Sequence, residues 1–307
     1  NHTAVTFLLL GFPSLHHQEY LIGITFLASY VAILVGNLLI IALIFSDRDL
    51  YRPMYFFLCN LSSLEIFVTT AVIPKAIGSL LMNTKAISYQ ACITQCYFYS
   101  LLGSIEFALL VVMSYDRYAA ICCPLQYPML MNSRVCLQLL LGRSWCAGFL
   151  FTIVPTALLV RLPFCNANRI DHFFCDIMLL IKLSCAETRT VELICFMTSF
   201  IILFVSLIMT AMSYLYIIST ILRLPSTSSR SKAFSTCSSH FTVVLLGYGS
   251  SIFLYVRPSV QHVSHNKAVA LINTLITPLM SPFIFSLRNQ QMKDALKVSL
   301  KRNATIS

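Results

Sequence analysis

The stretch LIGITFLASYVAILVGNLLIIALIF, Leu21 to Phe45, contains no Asp, Glu, Lys, Arg or His. Wound as a helix it reaches about 37 Å, enough to cross a hydrocarbon layer of about 30 Å. It lacks the dyad alternation of a barrel strand, and open backbone cannot face lipid, so it reads as a spanning helix. It is also too long for the apolar region of a signal peptide and reads as the first membrane anchor.

Six further runs of the same kind follow, at about 53–82, 92–123, 136–160, 191–222, 232–255 and 267–287. The chain has 307 residues, 58% hydrophobic and only 10% charged. A soluble domain has about a quarter of its residues charged. The expected fold is therefore an all-α membrane protein, a seven-transmembrane helix bundle in one domain covering 1–307. An outer N-terminal segment would occupy 1–20, the bundle 21–288 and an inner tail 289–307. The net charge of +10 is spread between the apolar runs. That spread points to orientation signals and membrane lipid headgroups, and argues against nucleic acid.

Loop Lys and Arg set the expected orientation. With the N-terminus outside, the inner side holds Arg48, Arg52, Arg117, Arg134, Arg223, Arg230, Lys232 and the basic tail from Arg288 to Arg302. The outer side holds Lys75, Lys85, Arg161, Arg169, Lys182, Arg189, Arg257 and Lys267. The bias is modest and points one way. Asn1-His2-Thr3 is a glycosylation sequon, which needs the lumenal side. In the tail, Met292, Leu296 and Ser299/Leu300 recur at helical spacing with Lys293, Lys297 and Lys301 on a neighbouring face. That pattern fits a short amphipathic helix on the inner leaflet; a frayed basic tail is the alternative.

Several motifs occur in fixed order along nearly the whole chain. Gly36-Asn37 lies in the first span, and Pro53-Met54-Tyr55-Phe56-Phe57-Leu58 opens the second. Met113-Ser114-Tyr115-Asp116-Arg117-Tyr118-Ala119-Ala120-Ile121-Cys122 ends the third, and Ser213-Tyr214 lies low in the fifth. Lys232-Ala233-Phe234-Ser235-Thr236-Cys237-Ser238-Ser239-His240 opens the sixth, and Pro282-Phe283-Ile284-Phe285-Ser286-Leu287-Arg288-Asn289 ends the seventh. Together these motifs resemble the vertebrate odorant receptors, in their tetrapod-type class, within the rhodopsin-like receptors that couple to G proteins. The chain departs from that pattern at two places. Glu65 stands where the family usually has Asp, and Ser281-Pro282…Phe285 replaces the usual Asn-Pro…Tyr.

The resemblance implies a plasma-membrane receptor with its N-terminus outside and its C-terminus in the cytoplasm. It would bind a small volatile ligand and drive an olfactory stimulatory G protein to raise cyclic AMP, with no cofactor. Among the 12 cysteines, Cys92, Cys165, Cys175 and Cys185 are expected to face the oxidising lumen. Four cysteines allow about three connectivities, and a zinc site with His172 is an alternative. The resemblance selects Cys92–Cys175 and Cys165–Cys185.

Tyr99, Ser100, Gly103, Ser104 and Phe107 share one helical face by their spacing, as do Tyr248, Ser251 and Tyr255. Thr198, Ile202 and Thr274 match ligand-lining positions in similar receptors. Such a cavity would be apolar with a few hydroxyls and suit a neutral molecule, although Ser, Thr and Gly also serve plain helix packing. No acid stands at the matching positions, which disfavours an aminergic receptor.

Glu65 and Glu106 are intramembrane acids, a costly feature that usually marks function. By resemblance they face each other near Ser281. They either share a proton or a cation and reshape on activation, or sit neutral and hydrogen-bonded to Ser or Asn37. Asp116 is expected to pair with Arg117 at rest. Arg117, Tyr118 and the Lys232 region would line the coupling groove, with Tyr214 and His240 as partners across the fifth and sixth spans. The sequence shows no metal-ligand pair, nucleophile elbow or phosphate loop that would indicate an enzyme. It shows no inverted repeat of a transporter either. A receptor for a non-odorant small molecule is the nearer rival.

Overall fold

Each apolar run forms a helix. The computed structural model of the chain describes residues 6–165, 168–223, 226–256, 263–288 and 290–304. The spanning helices are α1 (Glu19–Ser46), α2 (Pro53–Leu81), α3 (Tyr89–Cys122), α4 (Ser133–Val160), α5 (Arg189–Arg223), α6 (Thr227–Val256) and α7 (263–288). Among the described residues, six of these are long and apolar enough to cross a membrane, and α6 carries the shorter apolar core His240–Ile252. The helix α8 (Gln290–Ala304) follows, with Met292 and Ala295 buried against the bundle.

Local chemistry sets the helix starts. Pro53 occupies the first turn of α2, where its missing N–H is no loss, and Arg52 before it is extended. The Ser88 hydroxyl accepts from the Ala91 N–H to start α3, and Asn132 accepts from Val135 to start α4. Two helices widen locally into underwound π-turns, α4 at Gln138–Trp145 and α7 at Ile272–Ile276.

The sequence did not suggest the small sheet that caps one end of the bundle. The strand β1 (Thr6–Leu9) pairs antiparallel with β2 (Ala86–Ser88) and parallel with β3 (Arg169–Ile170). It ties the N-terminal segment to the α2–α3 and α4–α5 connections. Gly11, at φ +62°, lets the chain turn from β1 toward α1. Under the sheet, Phe7, Leu9, Ile87, Cys92 and Ile170 form one apolar cluster, and Phe26, Ile73, Phe173 and Phe174 form another. The largest cluster fills the bundle between α1, α2, α3 and α6, with Leu58, Leu61, Ile105 and Val243 at its centre. At the other end, α8 is tied to α2 by the Tyr55 hydroxyl, which donates to Gln291 Oε1 at 2.7 Å.

Candidate functional site

The α4–α5 connection folds down as a lid at the sheet end. Cys175 is joined to Cys92 at the start of α3, and Cys165 is joined to Cys185 within the connection. The Cys175 N–H donates to Gln95 Oε1 at 2.9 Å, and Gln95 Nε2 in turn donates to the Ala71 carbonyl on α2 at 2.8 Å. Phe174 packs on Tyr99 with ring centroids 4.8 Å apart. His172 stacks on Phe173 at 4.6 Å, and its Nδ1 is buried without a partner among the described residues. Burial, with the nearby Lys267 charge, pushes His172 down to about 3. His172 therefore stays neutral, and the described residues contain no cluster of ligands that could hold a metal.

Beneath this lid lies a cavity of about 110 Å³ between α3, α5, α6 and α7. From α3, Tyr99, Ser100, Gly103, Ser104 and Phe107 line it, and Ile202 and Ser251 contribute from α5 and α6. Gly103 has open space where a side chain would stand. Other expected residues lie elsewhere. The Thr198 hydroxyl donates to the Ile194 carbonyl at 2.8 Å, and its neighbour Ser199 lines the cavity instead. Thr274 is fully buried and donates to the Ala270 carbonyl at 2.8 Å. The π-turn beside it presents Asn273 and Thr277 to the cavity. Tyr248 lies behind the wall, 5.1 Å from the Phe107 ring and 3.4 Å from the Thr210 hydroxyl. The side chain of Tyr255 lies outside the described residues, as do Asn1 and the side chain of Lys232.

Two acids also line the cavity, Glu106 and Asp176. Asp176 caps the short helix Ile177–Lys182, accepting from the N–H groups of Met178 and Leu179 at 2.9 and 3.4 Å. Burial raises its carboxyl above the ordinary range, and those two amides with Lys182 offset part of the rise. The position after Cys175 was the available signal for Asp176, because the disulfide fixes that segment over the cavity. Polar side chains also bridge the wall itself: Ser250 donates to Asn273 Oδ1, and Asn273 Nδ2 donates to the Ser251 hydroxyl at 3.2 Å.

Deeper in the bundle, Glu65 is buried, close enough to Glu106 for the two charges to interact. Ser281 and Asn37 also lie beside the Glu65 carboxyl. Neither meets full hydrogen-bond geometry, and both Glu65 oxygens lack a partner among the described residues. Asn37 Nδ2 donates instead to the Ile33 carbonyl at 3.1 Å.

At the end opposite the sheet, Arg117 Nε and one terminal nitrogen donate to Asp116 Oδ2 at 3.0 and 2.5 Å. The Tyr127 hydroxyl donates to Asp116 Oδ1 at 2.8 Å, and burial together with the Asp116 charge raises the Tyr127 phenol. Tyr214 and His240 bond to each other at 2.5 Å between Oη and Nδ1, joining α5 to α6. In this conformation Arg117 is held by its neighbour Asp116, and Tyr214 and His240 are partners of each other across α5 and α6. Tyr118 packs on Tyr216 at 5.8 Å between ring centroids.

The model of the family described as olfactory receptor matches residues 26–303. Olfactory receptor 6T1 of Homo sapiens is 49% identical over 302 residues, covering 98% of this chain and 93% of that protein. Olfactory receptor 6J1 of Homo sapiens is 47% identical over 296 residues, covering 96% of this chain and 85% of that protein. Olfactory receptor 287 of Rattus norvegicus is 48% identical over 296 residues, covering 96% of this chain and 95% of that protein.

Proposed function

Because the chain belongs to the olfactory receptor family, a family of multi-pass plasma-membrane receptors and not of enzymes, we propose that its cavity is the odorant site. The ligand is a small, neutral volatile molecule, and its binding activates an olfactory stimulatory G protein that raises cyclic AMP. The carrying observation is the lidded cavity itself, small and enclosed by Tyr99, Phe107, Ile202 and Leu203 with a few hydroxyls among them. Such a site holds its ligand by buried area and one or two hydrogen bonds.

In this reading the sheet end faces outside, where its two disulfides persist. Segment 1–20 is then extracellular, with Asn1 glycosylated, 21–288 is the bundle, and 289–307 is cytoplasmic with α8 on the inner leaflet. Ligand favours a state in which α6 swings out at the Arg117 end and opens a groove lined by Arg117, Tyr118 and the Lys232 region. Glu65 and Glu106 share a proton or a cation near Ser281, and activation rearranges that cluster.

Glu106 and Asp176 in the lining favour a second reading, a basic volatile amine as ligand. The deciding experiment is a panel of volatile alcohols, esters, ketones and amines applied to expressing cells with a cyclic AMP reporter. Neutral compounds should lead the responses. Gly103→Leu, which places a side chain in open cavity space, should raise the effective concentration of the best agonist at least about tenfold, equivalent to about 1.4 kcal/mol. Undiminished responses in Gly103→Leu would move the ligand site elsewhere, and amine-only responses would select the second reading. Ligand-dependent ion flux without cyclic AMP would replace the receptor by a transporter.

A further inference from the structure

A second, larger hollow lies on the outer surface of the bundle, between α3, α4 and α5. It encloses about 780 Å³ and opens toward lipid through exposed Phe151, Ile201, Val205 and Met209. It runs along α3 from Ser104 to Tyr115, about 16 Å by helical rise. Near the Arg117 end it is closed by Met129 and Leu130 of the short helix Tyr127–Leu130. Where α4 meets α3 the helices touch closely, since a Cβ on Gly148 would stand 2.6 Å from Ile105 Cγ1. Below that contact α4 passes into its π-turn, Gln138–Trp145, which keeps Leu140 and Ser144 buried.

That π-turn carries Arg143, which is exposed and lines the hollow. It lies about 15 Å along the helix axis from the start of α4 at Ser133, within hydrocarbon depth. Among the described residues neither Arg143 nor the Tyr115 hydroxyl, which lines the same hollow, has a hydrogen-bond or ion-pair partner. The serines that also line it are committed to their own helices: Ser144 donates to the Leu139 carbonyl at 3.2 Å, and Ser213 to the Met209 carbonyl at 3.0 Å. An unpaired guanidinium on a lipid-facing wall requires an anion that the bilayer can deliver, and phosphate matches its planar fork.

We propose that the α3–α4–α5 hollow is a binding site for one anionic phospholipid of the leaflet at the Arg117 end. An acyl chain lies against Val111, Leu139, Val205 and Met209, and Arg143, extended toward the interface, takes the headgroup phosphate with Tyr115. The site shares Ser104 and Ile202 with the odorant cavity, so the lipid forms part of that cavity's outer wall.

The test is native mass spectrometry of the full chain released from nanodiscs of phosphatidylcholine mixed with phosphatidylserine. Wild type should retain one phosphatidylserine in preference to phosphatidylcholine. Arg143→Gln should retain it about tenfold less, the change expected for loss of one charge-assisted hydrogen bond. Arg143→Lys should keep most of the preference. Ala147→Phe, which fills the hollow and leaves the guanidinium in place, should also lose the lipid. Equal retention of both lipids by wild type overturns the proposal, as does unchanged retention in Ala147→Phe. Displacement of phosphatidylserine by oleate at equal concentration overturns it too, since the occupant would then be a free fatty acid.

Discussion

The two ends of the bundle are built differently. At the sheet end, the N-terminal segment and two connections are bound together by a sheet, two disulfides and a buried aromatic cluster around Phe173 and Phe174. At the Arg117 end, no disulfide or sheet joins the elements among the described residues: α3, α5 and α6 meet through a small apolar cluster of Tyr214, Ile217, Ile221 and Cys237 and through single polar contacts, Tyr127 on Asp116, Tyr214 on His240, and the Cys122 thiol 3.2 Å from the Thr220 hydroxyl. Covalent and sheet restraints give a lid that holds its shape. Single hydrogen bonds, each worth about 1 kcal/mol net, give an end that can rearrange when a ligand favours another state. The contrast suits a device that recognises at one end and moves at the other.

The largest effect should come from unpinning the lid. Cys175→Ser opens a link between residues 83 apart in sequence. Loss of such a crosslink costs about 2–5 kcal/mol. Surface expression should collapse, and the melting temperature of purified receptor should fall by several degrees. A variant that melts like wild type would mean that the sheet and aromatic cluster hold the lid without the bond.

Asp116→Asn comes next, at the other end. It removes the carboxylate that receives Arg117 and Tyr127, contacts of the charge-assisted kind worth about 1.5–3 kcal/mol. Basal cyclic AMP should rise roughly tenfold while the lid's melting behaviour stays unchanged. A fall in both together would show that the two ends are one cooperative unit and erase the contrast. Between the ends, Glu65→Gln and Glu106→Gln should each change basal or odorant-evoked signalling about fivefold, near 1 kcal/mol of coupling. If both variants signal like wild type, the shared cluster does not take part in activation.

How much of this was legible in the sequence follows from the length scale of each feature. The spanning helices are written as long apolar runs, and their observed ends differ from the expected ones by a turn or less at most positions. The sheet left no such trace, because strands of two to four residues are too short to show alternation. On α3, helical spacing alone grouped the five cavity residues. On α7 the family resemblance pointed to Thr274, whereas the π-turn Ile272–Ile276 brings Asn273 and Thr277 to the cavity. Arg143 was absent from the orientation reading because a single basic residue within an apolar run carries no loop signal. Only the structure shows that it faces a lipid-exposed hollow.

The smallest effect probes the rigid end from within, through pH. His172 is titrated from an ordinary 6.5 down to about 3 by burial and by Lys267, with Asp171 paired to that lysine at 2.5 Å. The folded lid therefore binds fewer protons at His172 than the unfolded chain does, so stability rises with pH across this window. The contribution is complete above about pH 6.5 and is lost progressively as pH falls toward 3, amounting to about 0.8 kcal/mol by pH 6. Hydrogen exchange at residues 169–176 should accelerate as pH falls through this range, after correction for intrinsic exchange rates. His172→Phe keeps the stacking surface and removes the proton acceptor, so it should flatten the pH dependence of the lid. If the slope survives in that variant, the acid sensitivity of the lid originates elsewhere, with buried Asp176 the first group to test.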